Sequence, residues 1–376
     1  MTRYRTIVCC IAAGAILLVA GRAVAVFQKP AKAAATVDQP LQQAAELKGT
    51  DILPHCEGAI AAGRNYVYCG TFQLAWNDFW DHFVKGPIHL DGRPEMGEIL
   101  NRRQFNSTDL ARDCYLAMAG EVAQGIMAKI RDAMKRKFPQ ATLPVEDPPR
   151  KTDIVAFAYM AKNLQFAHKF DRLDQPLLFG GERGEPVVVF GVKSSGSAEI
   201  AALVRQQVTI LDYENDNDFI LQLSTKSARD ELILAKIAPG KTLSATIDAV
   251  QKRLRTRGPQ LRAGGQSRLK EDDEFAVPRI KLNVCRQYHE LLHRGIEGWG
   301  DFTITVALQA IRFDLDETGV RLESKAIGGG GGAFLPKPRQ LVFDKPFLLL
   351  LKQANSQRPY FSMWIENTEV LEAASR

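Results

Sequence analysis

The sequence predicts an α+β protein built on a large mixed or antiparallel sheet. Its first third carries helical periodicity, whereas from Asp153 onward one strand-like segment follows another, the segregation typical of that class. The apolar run Val187–Val192 is the pattern of a strand buried on both faces. No internal repeat is visible, so a solenoid or propeller is not expected.

The N-terminus has the character of an address. Arg3 and Arg5 precede an uncharged apolar run, Ile7–Ala20. Arg22 interrupts it, and Ala23-Val24-Ala25 offers the small-x-small spacing of a signal-peptidase site. The run is short of the roughly 20 residues that span a bilayer, and reading on to Phe27 lengthens it towards an anchor. Residues 1–27 are therefore a signal peptide or N-terminal anchor, residues 28–50 an Ala-, Gln- and Pro-containing linker, and residues 51–376 the folded domain. The expected location is secreted, periplasmic or otherwise extracytoplasmic, with membrane contact only through the N-terminal segment. Export permits disulfides, and Cys56 with Cys69 would close a short loop; four buried thiols (Cys56, Cys69, Cys114, Cys285) are the equal alternative.

Phe72, Trp76, Phe79, Trp80 and Phe83 are spaced for a helix with one buried face. Leu110, Cys114, Met118, Val122, Ile126, Ile130, Met134 and Phe138 recur every four residues, which predicts a helix over 110–138 with Thr108 or Asp109 as its cap. Pro139, Pro144, Pro148 and Pro149 mark a long connection. Strands are expected at Ile154–Tyr159, Val187–Val192, Phe219–Leu223, Leu232–Ile237, Arg279–Val284, Phe302–Asp314, Leu341–Lys352 and Tyr360–Ile365. A helix is expected at Thr242–Leu254, where Leu243, Ile247, Val250 and Leu254 share a face.

Composition narrows the function only a little. Apolar residues make up 45%, charged residues 24% and the formal net charge is +6, values of an ordinary globular protein. Lys252, Arg253, Arg255, Arg257, Arg262, Arg268 and Lys270 form a basic run without an acid. Read as a loop, Lys252–Lys270 is a candidate polyanion contact, but no aromatic interleaves it, which argues against nucleic acid. Gly180, Gly181 and Gly184 lack the strand–Gly–helix context of a phosphate cradle, and there is no Gly-x-Ser-x-Gly elbow.

The last hundred residues resemble the serpin family. Val277-Pro278-Arg279-Ile280-Lys281-Leu282, a short helix at Gln287–Arg294, and the long strand ending Phe313-Asp314-Leu315-Asp316-Glu317-Thr318-Gly319 follow the family's order. So do Phe343-Asp344-Lys345-Pro346-Phe347-Leu348 and Pro359–Asn367, and upstream Ile154–Asp171 is similar to a further family segment. The likeness is clearest over 150–376 and poor over 51–149. It implies an exposed reactive-type loop, with Glu317 and Gly319 at its hinge, Val320, Leu322 and Ser324 following, and a bond near Ala333–Phe334 open to a serine or cysteine protease. Residues 320–326 alternate apolar or small with charged, the periodicity of a strand. In the family's inhibitors a cleaved loop enters the sheet as a new strand. Val320 and Leu322 are bulkier than the residues inhibitory members carry there, and Ala158, Phe166 and Gln309 replace the family's usual Asn, Trp and His. The resemblance thus implies either a protease inhibitor or a non-inhibitory scaffold, expected to be a monomer without cofactor or catalytic residues.

The rival reading is a zinc-dependent peptidase. His289-Glu290-Leu291-Leu292-His293 spells H-E-x-x-H; on a helix both imidazoles would share one face and bind zinc, with Glu290 as general base. No His follows His293 to complete the ligand set, and the same residues also read as a short amphipathic helix.

Overall fold

The computed structural model describes residues 40–193, 198–320 and 338–374. Strands β1 (Gln42–Gln43), β2 (Thr50–Leu53) and β3 (Asn65–Cys69) come first, then helices α1 (Thr71–Phe79) and α2 (Glu95–Leu100). Strand β4 (Tyr115–Glu121), helix α3 (Ile126–Lys137) and the long strand β5 (Asp153–Asn163) follow. Short strands β6 (Phe166–His168), β7 (Asp171–Arg172), β8 (Leu177–Phe179), β9 (Glu185–Val187) and β10 (Val189–Gly191) lead to α4 (Ala198–Arg205). A meander, β11 (Val208–Asn215), β12 (Asp218–Leu223) and β13 (Asp230–Lys236), precedes α5 (Leu243–Thr256) and α6 (Gly258–Ala263). The remainder is strand: β14 (Glu274–Pro278), β15 (Ile280–Gln287), β16 (Thr303–Leu315), β17 (Gly319–Val320), β18 (Gln340–Val342), β19 (Phe347–Gln353) and β20 (Pro359–Ile365).

The predicted α+β class holds. A five-stranded sheet runs β1-β15-β16-β5-β4 and a seven-stranded sheet runs β11-β12-β13-β19-β20-β3-β2. In the first, β16 and β5 are parallel neighbours, paired from Thr303↔Asp153 to Asp314↔Asn163, while β15 and β4 flank them antiparallel.

Alternation along each strand shows which layer it faces. On β5, Val155, Phe157 and Tyr159 pack under Ile126, Met127, Ile130 and Met134 of α3, together with Leu308 and Ala310 of β16. The intervening Ile154, Ala156 and Ala158 pack over Phe72, Ala75, Trp76 and Phe79 of α1. On β19, Leu349 and Leu351 join the large central core, whereas Leu348 and Leu350 meet Leu243, Ile247 and Val250 of α5. Strands buried on both faces explain the apolar runs in the sequence. The predicted α5 begins as expected, with the Thr242 hydroxyl accepting from Ala245 N–H at 3.1 Å.

Several expectations need correction, among them the single strand expected at Leu341–Lys352, which is β18 and β19 with a break at 343–346. The helix over 110–138 is only its second half: 115–121 is β4, hydrogen-bonded to β5. Tyr-Leu-Ala-Met-Ala-Gly-Glu is apolar on both faces and interrupted by Gly120, so strand and helix periods fit it alike. The open edge of β5 supplies the backbone partners that decide for strand. Val187–Val192 is two strands, because the chain changes partners at Val188, whose N–H donates to Glu372 O at 2.8 Å. The linker expected to reach residue 50 stops earlier: Gln42–Gln43 pairs with Val284–Cys285 of β15. The basic run is helical as far as Ala263 rather than loop throughout, and two of its charges have ion-pair partners. Arg253 reaches Asp212 at 2.7 Å and Asp218 at 2.5 Å, and Arg257 pairs with Glu214. Lastly, Cys56 and Cys69 are free thiols, as are Cys114 and Cys285. Strand β3 turns Tyr66 and Tyr68 towards the α5 side, where Cys56 packs, and Val67 and Cys69 towards the opposite core.

The two large sheets are tied by a buried ion pair. Lys162 of β5 meets Asp230 of β13 at 2.6 Å, and the Tyr360 hydroxyl of β20 donates to the same carboxylate at 2.9 Å. Burial pushes the Asp230 carboxyl up, but the hydrogen bonds from Lys162, Ser227 and Tyr360 outweigh it and leave the pKa below the usual Asp value. A depressed folded pKa gives stability that is complete above the unfolded value of ~3.9 and lost as pH falls through the folded value. Asp230→Asn is expected to cost about 2 kcal/mol at neutral pH and to flatten the acid limb of stability, read from urea midpoints from neutrality down to about pH 3. Unfolded, unreduced protein lacking residues 1–27 is expected to react with a thiol reagent at Cys56, Cys69, Cys114 and Cys285 alike, as a peptide mass map would record.

Candidate functional site

The seam between β16 and β5 adjoins the segment that the sequence reading singled out, and its ladder is paired from Thr303 to Asp314. Its α1 side is locked from below by one amide. Gln309, fully buried on β16 opposite Ala158, donates from Nε2 to Cys69 O at 3.0 Å and to Thr71 Oγ1 at 2.8 Å. Its Oε1 accepts from the Tyr288 hydroxyl at 2.5 Å. Gln309 thus joins β16 to the end of β3, the start of α1 and the residue after β15. Tyr288 packs against Phe72 of α1 with the rings tilted, centroids 4.6 Å apart. Burial raises the Tyr288 phenol and pushes the neighbouring Cys69 thiol up to about 11, so both stay protonated. The small Ala158 beside Gln309 leaves room for the amide, and a longer side chain there would displace it.

Beyond the seam, the chain leaves the sheet at Asp316–Val320. Gly319 and Val320 of β17 run parallel to β6, in register with Phe166 and His168. Phe166 N–H donates to Thr318 O at 3.0 Å and Phe170 N–H to Glu317 O at 3.1 Å. Glu317 is buried and its carboxylate lies 3.1 Å from Arg279 Nε; the same guanidinium reaches Asp316 at 3.4 Å and Glu372 at 2.9 Å. Lys169 approaches Glu317 at 4.0 Å. Phe166, Phe170, Phe190 and Phe275 form the aromatic floor of this exit, with Phe166 and Phe170 edge to face at 4.7 Å.

Of the residues singled out from sequence, Glu317, Gly319 and Val320 fall at this exit. Leu322, Ser324, Ala333 and Phe334 lie outside the described residues, as does the segment 1–27. Sequence reading missed Arg279 as the clamp and Tyr288 and Thr71 as partners of Gln309. Gln309 and Thr71 are joined only by tertiary contact across 238 positions, so no local spacing could have signalled them.

The zinc arrangement is not formed. β15 runs to Gln287, a single 3-10 turn covers His289–Leu291, and His293 sits at φ 56°. Without α-helix the i, i+4 relation that would align His289 and His293 is lost. Glu290 is instead paired with Arg286 at 2.6 Å. Among the described residues no group of three or more His, Cys, Asp or Glu side chains is placed to hold a metal ion. The short helix expected at Gln287–Arg294 contracts to this turn because Tyr288 and Leu291 are drawn fully into the core beside α1. No helix among the described residues is long and apolar enough to cross a membrane.

No family model matches the chain and no curated protein matches it. Among solved structures it is similar to a thyroxine-binding globulin in complex with thyroxine, at 12% identity and TM-score 0.43, over 80% of this chain and 91% of that one. It is similar to uncleaved ovalbumin at 9% identity and TM-score 0.43, over 80% and 92%. It is also similar to mouse protein-Z dependent protease inhibitor at 12% identity and TM-score 0.38, over 65% and 64%. Likenesses this distant do not assign the chain to a family.

Gln309→Leu removes the amide but keeps the bulk, leaving the Tyr288 and Thr71 hydroxyls and Cys69 O without their partner. The expected loss is about 2–4 kcal/mol, seen as a lower urea midpoint with unchanged slope. Adding Tyr288→Phe to Gln309→Leu should cost less than the two single changes summed.

Proposed function

We propose that the chain is a serpin-like extracytoplasmic protein that offers residues 321–337 to proteases but traps none of them, and so acts as a non-inhibitory, non-catalytic scaffold. The observation that carries this reading is the closed β16–β5 seam, with Gln309 of β16 bonded beneath it to the end of β3 and the start of α1. Trapping would require the segment after Gly319 to enter between β5 and β16. That opening breaks the ladder from Thr303 to Asp314, lifts the apolar face of α3 off Phe157 and Leu308, and ruptures the Gln309 bonds to Thr71 and Cys69. The exit is pinned as well, by Arg279 on Glu317 and by the β17–β6 pairing. Insertion competes with deacylation of a bound protease, and each of these contacts slows insertion alone. Val320 and Leu322 add bulk where entry would begin.

One observation favours the second reading, protease inhibition by insertion. β5 and β16 are parallel, so a strand entering between them would replace one parallel ladder by two antiparallel ones, the more stable pairing per residue. A thermodynamic gain is therefore available, and only the barrier separates the two readings. The zinc-peptidase alternative has lost its geometric premise at His289–His293.

The protein lacking residues 1–27, mixed with a panel of serine and cysteine proteases, tests this on denaturing gels. The expected result is cleavage near Ala333–Phe334, no detergent-stable band at the summed mass, and no rise in the thermal midpoint of the cleaved protein. A band at the summed mass would establish the inhibitory reading. The double change Val320→Thr, Leu322→Ala removes the bulk at the hinge but leaves the seam intact, and is expected still to give no band at the summed mass.

A further inference from the structure

The five-stranded sheet ends on β4, which has β5 on one side and no strand on the other. The opposite end of the sheet is the short β1, Gln42–Gln43. An open edge presents backbone N–H and C=O groups in the arrangement that another strand requires. The pairing with β5 shows which groups these are. Just before β4, Ala161 N–H donates to Cys114 O at 3.1 Å, and bonded positions alternate along an antiparallel pair. Leu116, Met118 and Gly120 therefore bond to β5, whereas Tyr115, Ala117 and Ala119 turn their backbone groups outward. Every residue of β4 keeps part of its surface exposed.

Side chains of the flanking helices occupy two of the outward groups. Asp78 of α1 accepts from Ala119 N–H at 3.0 Å, and Lys137 of α3 donates its ammonium to Tyr115 O. The Ala117 N–H and C=O, the Tyr115 N–H and the Ala119 C=O meet no partner among the described residues. This pattern is self-complementary. When a second copy approaches antiparallel with Ala117 opposite its own counterpart, each Ala117 N–H reaches the other copy's Ala117 O. Each Tyr115 then stands opposite the other copy's Ala119, and the free N–H of one meets the free C=O of the other. The groups left at that rung, Tyr115 O and Ala119 N–H, are those already held by Lys137 and Asp78. An ammonium from one copy and a carboxylate from the other are thereby brought together. Leu116 and Met118, which pack on the α3 side, lie opposite each other across the axis as apolar cross-strand pairs.

We propose that β4 is the interface through which two copies of this chain join, edge to edge, about a two-fold axis at Ala117, in place of the monomer that the resemblance implies. A two-fold contact uses the same surface on both partners and so closes on itself. One continuous sheet then runs through both copies, and the open edge disappears. Neither residues 321–337 nor the β16–β5 seam takes part, so the assembly stands whether or not the chain inhibits a protease.

Sedimentation velocity on the protein lacking residues 1–27, over a concentration series, is expected to show a reversible monomer–dimer equilibrium. Ala117→Pro removes the outward N–H and leaves the β5 ladder intact. It is expected to keep the wild-type melting curve, which is recorded alongside, and to weaken the dimer about tenfold or more. Lys137→Glu and Asp78→Lys, each alone, set like charges against each other at both ends of the interface and should weaken self-association. An equimolar mixture of these two variants should associate again, because each contact then joins opposite charges. Rescue on mixing cannot come from a folding defect in either variant. A chain that sediments as a monomer up to millimolar concentration, a dimer that Ala117→Pro leaves unchanged, or charge variants that fail to associate when mixed overturns the proposal.

Discussion

The parallel ladder between β5 and β16 is the constraint on which the rest of the molecule depends. Parallel neighbours cannot be joined by a hairpin, so after Asn163 the chain completes the pair only at Thr303, having re-entered the sheet at Ile280 as β15. The intervening stretch holds the β11–β13 meander, helices α5 and α6, and β14 and β15. A parallel pair inside a sheet must also be covered on both faces. Helix α3 supplies one cover through Ile130 and Met134, and α1 the other through Trp76 and Phe79. The order of elements, the double layer of helices and the buried amide of Gln309 all follow from keeping that pair dry.

Polar contacts then fix how the layers meet. Lys162 and Asp230 join the five-stranded to the seven-stranded sheet, with Tyr360 as third partner. Arg279 gathers Asp316, Glu317 and Glu372 at the point where β16 ends. Removing one member of such a group leaves a partly buried charge without its counter-charge, which is why these few residues matter more than their number suggests. The strand exit is thereby held in one position, and its resistance to rearrangement bears directly on whether the following segment could ever enter the sheet. The seam concentrates energy in backbone ladders, apolar packing and a satisfied amide, a design for staying shut.

Much of the fold was legible in the sequence. The α+β class, the aromatic α1, helix α5 with its Thr242 cap and the strands at 154–159, 219–223, 232–237 and 360–365 follow from alternation, periodicity and capping, which are properties of neighbours along the chain. The errors have one origin. Residues 115–121 fit strand and helix alike, and the free edge of β5 decided; H-E-x-x-H fits a helix, and burial of Tyr288 and Leu291 beside α1 decided against it. Cys56 and Cys69 are close in sequence, and β3 turned Cys69 to the core opposite the one where Cys56 packs. The sequence by itself determined which segments are apolar, where they are punctuated, and that Glu317 and Gly319 close a long strand. Only the tertiary structure decided that Gln309 would meet Thr71 and Tyr288, and that Arg279 would hold Glu317. Those contacts join residues far apart in the chain, and hydrogen-bond satisfaction and burial choose among local conformations that the sequence leaves close in energy.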